Sequence, residues 1–375
     1  MSAWVFWLGI GVVGYAYLGY PLLARLLARR FGSAPRCTAD TPPLTVVIAA
    51  YNEAARITAR IRNILEQDYP GDKVAVLVVS DGSSDDTPRA AAIADNVRVV
   101  ALDTNQGKAA AINVAMEHVA TPLVVFTDVR QRFAPDALRR LVAPFADASV
   151  GAVSGELEIV ADLADRARTV DIGLYWRMEK ALREDEAKLA WLHGVSGAIH
   201  ALRKECFRPL PPGTLLDDMW MPLQVVIGGR RVWMARDAIA YDSASAQGRE
   251  EFRRKLRTLA GNWQLLAHLP RLLDPWRNPV FLAWLSHKFL RLIVPWALLA
   301  ALAASACAQG AVYRVLLVAQ SLAYLAATVA LLLPRAAAKV PLLSSAGTFL
   351  ALNLAALFSL PAWLAFDPRR LWKKH

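Results

Sequence analysis

The chain has 375 residues, 55% of them hydrophobic, and a formal net charge of +11. The apolar excess is too unevenly spread to be a larger soluble core, so it points to membrane segments. The basic balance does not read as nucleic-acid binding, because the cations cluster beside apolar spans and no reader motif accompanies them; anionic membrane lipid is the expected counter-surface. Cys37, Cys206 and Cys307 are odd in number and far apart, which excludes a zinc cluster or a disulfide framework.

Residues 1–30 read as a transmembrane anchor. The first charge is Arg25, and Trp4 to Tyr15 opens an apolar run long enough to cross a bilayer. A cleaved signal peptide is the alternative, but it calls for a basic start and a shorter apolar centre. Arg25, Arg29, Arg30 and Arg36 follow, which puts the N-terminus outside and the next domain in the cytoplasm of a bacterial-type inner or plasma membrane. Residues 31–43 form a linker.

From 44 to 275 the pattern is that of one α/β domain. Apolar runs Leu44–Ala50, Val74–Ser80, Val97–Leu102 and Pro122–Thr127 predict strands; Ala54–Gln67, Asp85–Ala94 and Gly107–His118 predict intervening helices. This alternation predicts a Rossmann-type, mostly parallel sheet with right-handed crossovers. Further along, Val150–Val160 and Arg231–Ala240 read as strands, Val195–Leu202 as a strand or loop, and Asp165–Leu189, Met219–Ile227 and Glu250–Leu269 as helices. Residues 276–290, rich in Trp and Phe, suit a flat interfacial helix. Residues 291–367 hold two or three further spans, and 368–375 form a basic tail. Three spans would put Arg369, Arg370, Lys373 and Lys374 outside, against the positive-inside tendency; a re-entrant hairpin over Val340–Phe366, broken at Gly347 and Pro361, is the alternative.

Candidate functional residues fall where strands end. Asp81-Gly82-Ser83 closes one strand, Tyr51-Asn52-Glu53 another, and Asp128 a third. In an α/β sheet such positions share one carboxyl edge. Asp81 can accept from a sugar or base N–H, but Asp-Gly-Ser is also ordinary turn chemistry. Lys108 opens a helix, where a cation opposes the dipole, so it either meets an anion or is solvated. Asp128 can bind a divalent cation or pair with Arg130 in a structural ion pair. Of Asp217 and Asp218, one can cap a helix while the other takes a proton. Arg254 and Arg257 lie one turn apart and can clamp a diphosphate, or rest on anionic lipid.

In order, Ala50-Tyr51-Asn52-Glu53, Asp81-Gly82-Ser83, Asn105-Gln106-Gly107-Lys108, Asp128, Ser196-Gly197-Ala198, Asp217-Asp218 and Arg254–Arg257 resemble the family 2 glycosyltransferases, in the membrane-anchored branch of the cellulose, chitin and hyaluronan synthases. The resemblance covers roughly residues 44–265. It implies a GT-A fold, a nucleotide-diphosphate sugar donor, expected to be a UDP-sugar, and Mg²⁺ or Mn²⁺. By carry-over, Tyr51, Glu53, Asp81, Ser83, Lys108, Asp128, Arg254 and Arg257 bind the donor. Asp128 holds the metal, Ser196 and Gly197 face the acceptor, and Asp218, beside Asp217, is the general base of an inverting transfer to a polysaccharide or lipid-linked acceptor. Two departures stand out. Arg130 replaces the second aspartate of Asp-x-Asp, and Arg254-Lys255-Leu256-Arg257-Thr258 replaces Gln-x-x-Arg-Trp, which weakens the case for a processive synthase; Trp263 is a candidate substitute for the tryptophan. The competing reading is an inactive, membrane-tethered nucleotide-sugar binding module, against which the acidic pair argues. A partner subunit for export is compatible with either. A transporter is disfavoured by the few spans and their lack of internal charge.

Overall fold

The computed structural model describes residues 1–160, 173–243, 248–337 and 340–365. Its centre is an eight-stranded sheet: β1 (Leu44–Ala50), β2 (Val74–Asp81), β3 (Val97–Leu102), β4 (Leu123–Thr127), β5 (Arg132–Phe133), β6 (Val150–Val160), β7 (His200–Arg203) and β8 (Arg231–Ser243). The order is β3-β2-β1-β4-β7-β6-β8-β5. The four strands β3, β2, β1 and β4 are parallel, as the alternating pattern predicts. Beyond them the sheet is mixed: β7 runs antiparallel to both β4 and β6, β6 pairs in parallel with β8, and β5 closes the edge antiparallel to β8. Six of the eight strands therefore run the same way, with β7 and β5 reversed, and the sheet is mostly parallel as expected. β5 has two residues, too short for periodicity to reveal.

Both faces of the sheet are covered, which is why its strands read as unbroken apolar runs. The helix α1 (Ser2–Phe31) precedes the sheet. Val46, Ile48, Val76, Val78 and Val125 pack with Ile57, Ile61 and Ile64 of α2 (Ala54–Leu65). Val47, Leu77, Val79, Val124 and Phe126 pack on the other face with Ala109, Ile112, Ala115 and Met116 of α3 (Lys108–His118). The period-two alternation of the strands separates these two sets.

Six further helices bear on the site and on the apolar half of the molecule. They are α4 (Gly173–Lys188), α5 (Asp217–Ile227), α6 (Gly248–His268) and α7 (Phe281–Cys307), followed by α8 (Ala311–Leu332) and α9 (Pro341–Ala365). α1, α7, α8 and α9 are long and apolar enough to cross a membrane. The start of the helix expected at Asp165, and the basic tail, lie outside the described residues. No separate flat helix forms over 276–290: residues 281–290 are the first turns of α7, passing through a π-helical turn at Leu285–Phe289, and Trp284 is buried against the catalytic domain. Nor is there a hairpin over Val340–Phe366, since α9 runs unbroken through Gly347 and Pro361.

The domain is tied to the membrane helices by a buried polar network. His287 of α7 lies between two carboxylates of α4, with Nδ1 2.8 Å from Glu186 Oε1 and Nε2 2.8 Å from Glu179 Oε1. Arg291 reaches Glu179 Oε2 at 2.7 Å, and the Tyr20 hydroxyl of α1 donates to Glu186 Oε1 at 2.8 Å. Burial pushes both glutamates up, but their interactions with His287 and the basic groups around it outweigh this and hold them below the usual carboxylate range.

One glycine sets the edge of the site. Gly82 has φ of +62°, and a Cβ there would lie 2.3 Å from the backbone of Thr104 and Asn105. Gly82→Ala therefore strains its own turn and displaces the 104–107 loop. The expected result is a loss of about 1–3 kcal/mol of stability and weaker nucleotide binding, read by thermal unfolding with and without nucleoside diphosphate.

Candidate active site

The carboxyl ends of β1, β2 and β4 share one edge, and the turn before β7 meets it from the antiparallel side. Asp128, immediately after β4, is half-buried, its side chain 42% exposed. The Lys108 ammonium, at the first turn of α3, sits 2.9 Å from Asp128 Oδ1 and 2.9 Å from Asp217 Oδ2. Lys108 is thus the cation that brings two distant acids together. Burial alone would push it down, but the two carboxylates outweigh this and hold it above its usual range. Burial likewise pushes Asp128 up, and Lys108 more than reverses it.

Asp217 does not cap α5 with its side chain, as one reading of the acidic pair expected; no side-chain cap bond forms there, and the carboxylate is spent on Lys108. Asp218 is the other half of the pair. Burial, and then the adjacent Asp217 charge, push its carboxyl up to about 6. A Cβ on Gly197 would lie 3.5 Å from Asp218 Oδ2, so the glycine leaves that carboxylate uncovered. The turn is pinned at both sides: Val195 N–H donates to Asp218 O at 2.9 Å, and Thr127 Oγ1 donates to Ala198 O at 2.7 Å. Ser196 holds its place through its backbone, with N–H to Ser154 Oγ at 2.9 Å.

Arg257 of α6 feels the same cluster. Burial lowers its pKa, while Asp217, Asp218 and Asp128 counter that effect. Arg254 is its electrostatic neighbour on the helix. The alternative reading of Asp128, an ion pair with Arg130, is not the arrangement found: Arg130 turns to Asp242 of β8, at 2.9 Å. Trp263 does not substitute at the site either, since its indole Nε1–H donates to Ser359 Oγ of α9 at 2.9 Å.

The remaining motif residues build the neighbouring edge. Both Asp81 oxygens accept backbone N–H groups, from Gln106 and Gly107, each at 2.8 Å. Asp81 therefore orders the loop that launches Lys108. Ser83 Oγ accepts from Asn52 N–H at 3.1 Å and from Ser80 at 2.8 Å. Asn52, in the left-handed region with φ of 52°, clasps Ser84. Glu53 is buried at the start of α2, with its N–H on Thr87 Oγ1 and Arg56 3.4 Å from its carboxylate. Tyr51 stands half-buried at the end of β1.

Two site residues carried no sequence signal. His200, at the start of β7, is buried, stacks on Phe126 at 5.1 Å and donates its Nδ1–H to Ser196 O, 2.9 Å away. Burial pushes it down to about 4, so it is neutral beside the acids. Gln264 of α6 accepts from Leu215 N–H at 2.9 Å and donates to Gly213 O at 2.8 Å, fixing the loop that presents Asp217 and Asp218. Their partners are backbone groups, which leave no trace in residue type.

Residues 45–210 match the profile named Glycosyl transferase family 2. They are a family 2 glycosyltransferase domain. Among curated proteins, the succinoglycan biosynthesis protein ExoO of Rhizobium meliloti is 38% identical over 110 residues, 29% of this chain and 31% of its own length. A beta-monoglucosyldiacylglycerol synthase of Synechocystis sp. is 33% identical over 125 residues, 31% of this chain and 26% of its own length. The chain thus spans about a third or less of these relatives. Among solved structures, the mannosyltransferase PcManGT from Pyrobaculum calidifontis, in complex with GDP-Man and Mn²⁺, is 26% identical with a TM-score of 0.70, covering 96% of this chain and 99% of that one. The domain has the GT-A fold of that neighbour.

A family 2 domain implies a divalent cation. Among the described residues no group of three His, Cys, Asp or Glu side chains has metal-holding geometry. Asp128, the residue to which the sequence assigns such an ion, is partly exposed at the strand end with one oxygen on Lys108. A cation held by one carboxylate and the donor's own phosphates fits this donor set and the habits of Mg²⁺.

Gln264→Ala removes both bonds to the 213–215 loop without touching substrate. Because about 1 Å of misplacement costs on the order of 10²-fold in rate, turnover is expected to fall about 10- to 100-fold with nucleotide affinity unchanged, measured by steady-state kinetics beside nucleotide titration.

Proposed function

We propose that this protein is an inverting, membrane-bound glycosyltransferase. It moves a sugar from a nucleoside-diphosphate donor to a hydroxyl of a glycan or lipid-linked acceptor. The observation that carries the reading is Asp218: an uncovered carboxylate with its pKa raised to about 6, set beside a Lys108-bridged pair of acids. A general base works best with a pKa near the working pH. A structural acid pair gains nothing from that.

In the reaction the acceptor hydroxyl gives its proton to the Asp218 carboxylate as its oxygen bonds the anomeric carbon. The bond from that carbon to the diphosphate breaks, and the nucleoside diphosphate leaves with the electron pair. Attack from the face opposite the leaving group inverts the centre. Lys108 and Arg257 stand as preorganised cations where negative charge grows on the diphosphate. A Mg²⁺ or Mn²⁺ ion, when bound through Asp128, would supply further charge neutralisation there. Tyr51 and the Asn52–Ser84 clasp line the edge assigned to the nucleotide. The neighbour was solved with GDP-Man, which is a reason to test GDP-sugars beside the UDP-sugars expected from sequence.

The membrane arrangement follows from which helix ends meet the domain. The end of α1, through Tyr20, and the start of α7, through His287, both join α4. α9 touches domain-side landmarks along its length: Gly347 lies against Ala330, Phe349 against Tyr17 at 5.2 Å, and Ser359 against Trp263. We read α9 as lying across the interface beside α6, with α1, α7 and α8 crossing. Three crossings return the chain to the domain's side, the side that carries Arg25, Arg29 and Arg30.

Two measurements follow. Purified protein given a panel of UDP- and GDP-sugars with Mn²⁺ is expected to release nucleoside diphosphate from one donor. Asp218→Asn should lower this at least about 10³-fold while donor binding persists. The Asp218 carboxylate must be ionised to act, so wild-type turnover is expected to fall as pH drops through about 6; binding without turnover in wild type would leave a nucleotide-sugar binding module. For topology, a fluorescent protein fused after His375 is expected to fluoresce and a secreted phosphatase in its place to be inactive. The reverse pattern would mean that α9 crosses.

A further inference from the structure

Arg60 of α2 is 3% exposed, on a helix face otherwise made of Ile57, Ile61 and Ile64. Among the described residues no carboxylate forms a salt bridge with it, and its Nε has no hydrogen-bond partner. Burial pulls its pKa down to about 9 and the Asp128 charge opposes this, so the guanidinium is still charged at neutral pH. Burying a cation without a paired charge is costly. A methionine would fill the same place without that cost, so the charge and shape of Arg60 call for a use.

The guanidinium lies where three segments meet. Its Nη2 donates to Thr127 Oγ1 at 2.8 Å and its Nη1 to Asn63 Oδ1 at 2.6 Å. Its central carbon is 3.9 Å from the centroid of the Phe133 ring. Asn63 in turn accepts from Phe133 N–H at 2.8 Å and donates to Phe133 O at 3.2 Å. The stretch 127–133 carries Asp128, and residues 60 and 63 of α2 grip both its ends. The bond to Thr127 also sets a direction. An arginine only donates, so Thr127 Oγ1 accepts from it and sends its own hydrogen elsewhere. That hydrogen has Ala198 O at 2.7 Å and Asp128 O at 3.3 Å, and the shorter contact takes it. Ala198 follows Gly197, the glycine that leaves the Asp218 carboxylate uncovered. The chain Arg60–Thr127–Ala198 therefore joins the segment of Asp128 to the turn beside Asp218.

We propose that Arg60 is a positioning residue for sugar transfer: through Thr127 it holds Asp128 and the turn beside Asp218 in register, so that the two carboxylates keep a fixed separation. The role rests on the transferase reading and deepens it, since Arg60 acts from behind the site and touches no substrate. It needs two donor nitrogens at fixed spacing. A lysine ammonium offers a point charge without that fork. Misplacing reacting groups by about 1 Å costs on the order of 10²-fold in rate. Loss of a partner behind a metal ligand costs about 10- to 100-fold in metal affinity.

Arg60→Met and Thr127→Val each break the chain with little change in side-chain volume. The full chain in nanodiscs is titrated with UDP and GDP without metal, and the bound nucleotide counts the folded sites. Per nucleotide-binding site, each variant is expected to turn over at least about tenfold more slowly than wild type. Each is also expected to bind Mn²⁺ about tenfold more weakly, read by electron paramagnetic resonance. Because both residues act in one chain, the double variant should be no worse than the single ones. Arg60→Lys, which keeps the charge and loses the fork, should restore neither quantity. Wild-type turnover and Mn²⁺ affinity per site in Arg60→Met and Thr127→Val overturn the proposal, because Arg60 then only stabilises the fold. So do losses that multiply in the double variant, or full recovery in Arg60→Lys. If wild type binds nucleotide and Mn²⁺ but turns over no donor, the transferase reading fails instead, and the Mn²⁺ affinities of the variants still decide whether Arg60 positions Asp128.

Discussion

The site depends on one ammonium group. Three carboxylates, Asp128, Asp217 and Asp218, converge on one edge of the sheet, and without a cation among them their mutual repulsion would oppose folding there. Lys108 lies 2.9 Å from two of them. Removing one partner from a buried set of this kind typically costs about 3–5 kcal/mol. The arrangement is asymmetric. Asp217 is paired with Lys108, while burial and the adjacent Asp217 charge push the Asp218 carboxyl up. Two adjacent residues of one type thus acquire different chemistry from their surroundings.

Everything that positions Lys108 and the acids is backbone-directed. Asp81 accepts the Gln106 and Gly107 N–H groups and so fixes the turn into α3. Gln264 clamps the loop before Asp217 from the side of α6. α6 in turn is fastened to α9 through Trp263 and Ser359, and the rest of the domain to α1 and α7 through Glu179, Glu186 and His287. The membrane helices are therefore continuous, through packed side chains, with the loop that carries the acids.

Much of this was legible in the chain. The parallel half of the sheet announced itself because strands covered on both faces must be apolar throughout, and the strand-end acids stood out because charge at the end of such a run is costly unless used. The membrane helices were legible for the same reason, as long stretches without charge. β5 and the turn into β7 were not, since two residues or an irregular segment have no period to read. Arg130 illustrates the limit more sharply: two residues from Asp128 in sequence, it pairs instead with Asp242, 112 positions away.

The sequence by itself determined which residue types were available at the carboxyl edge and which stretches water would not tolerate, because burial and strand periodicity are local and additive along the chain. Only the tertiary structure decided who pairs with whom: that Lys108 joins Asp128 to Asp217, that His200 and Gln264 belong to the site, and that α9 lies along α6. Those outcomes depend on distances between segments far apart in the chain, and a distance across the fold has no counterpart in the order of residues.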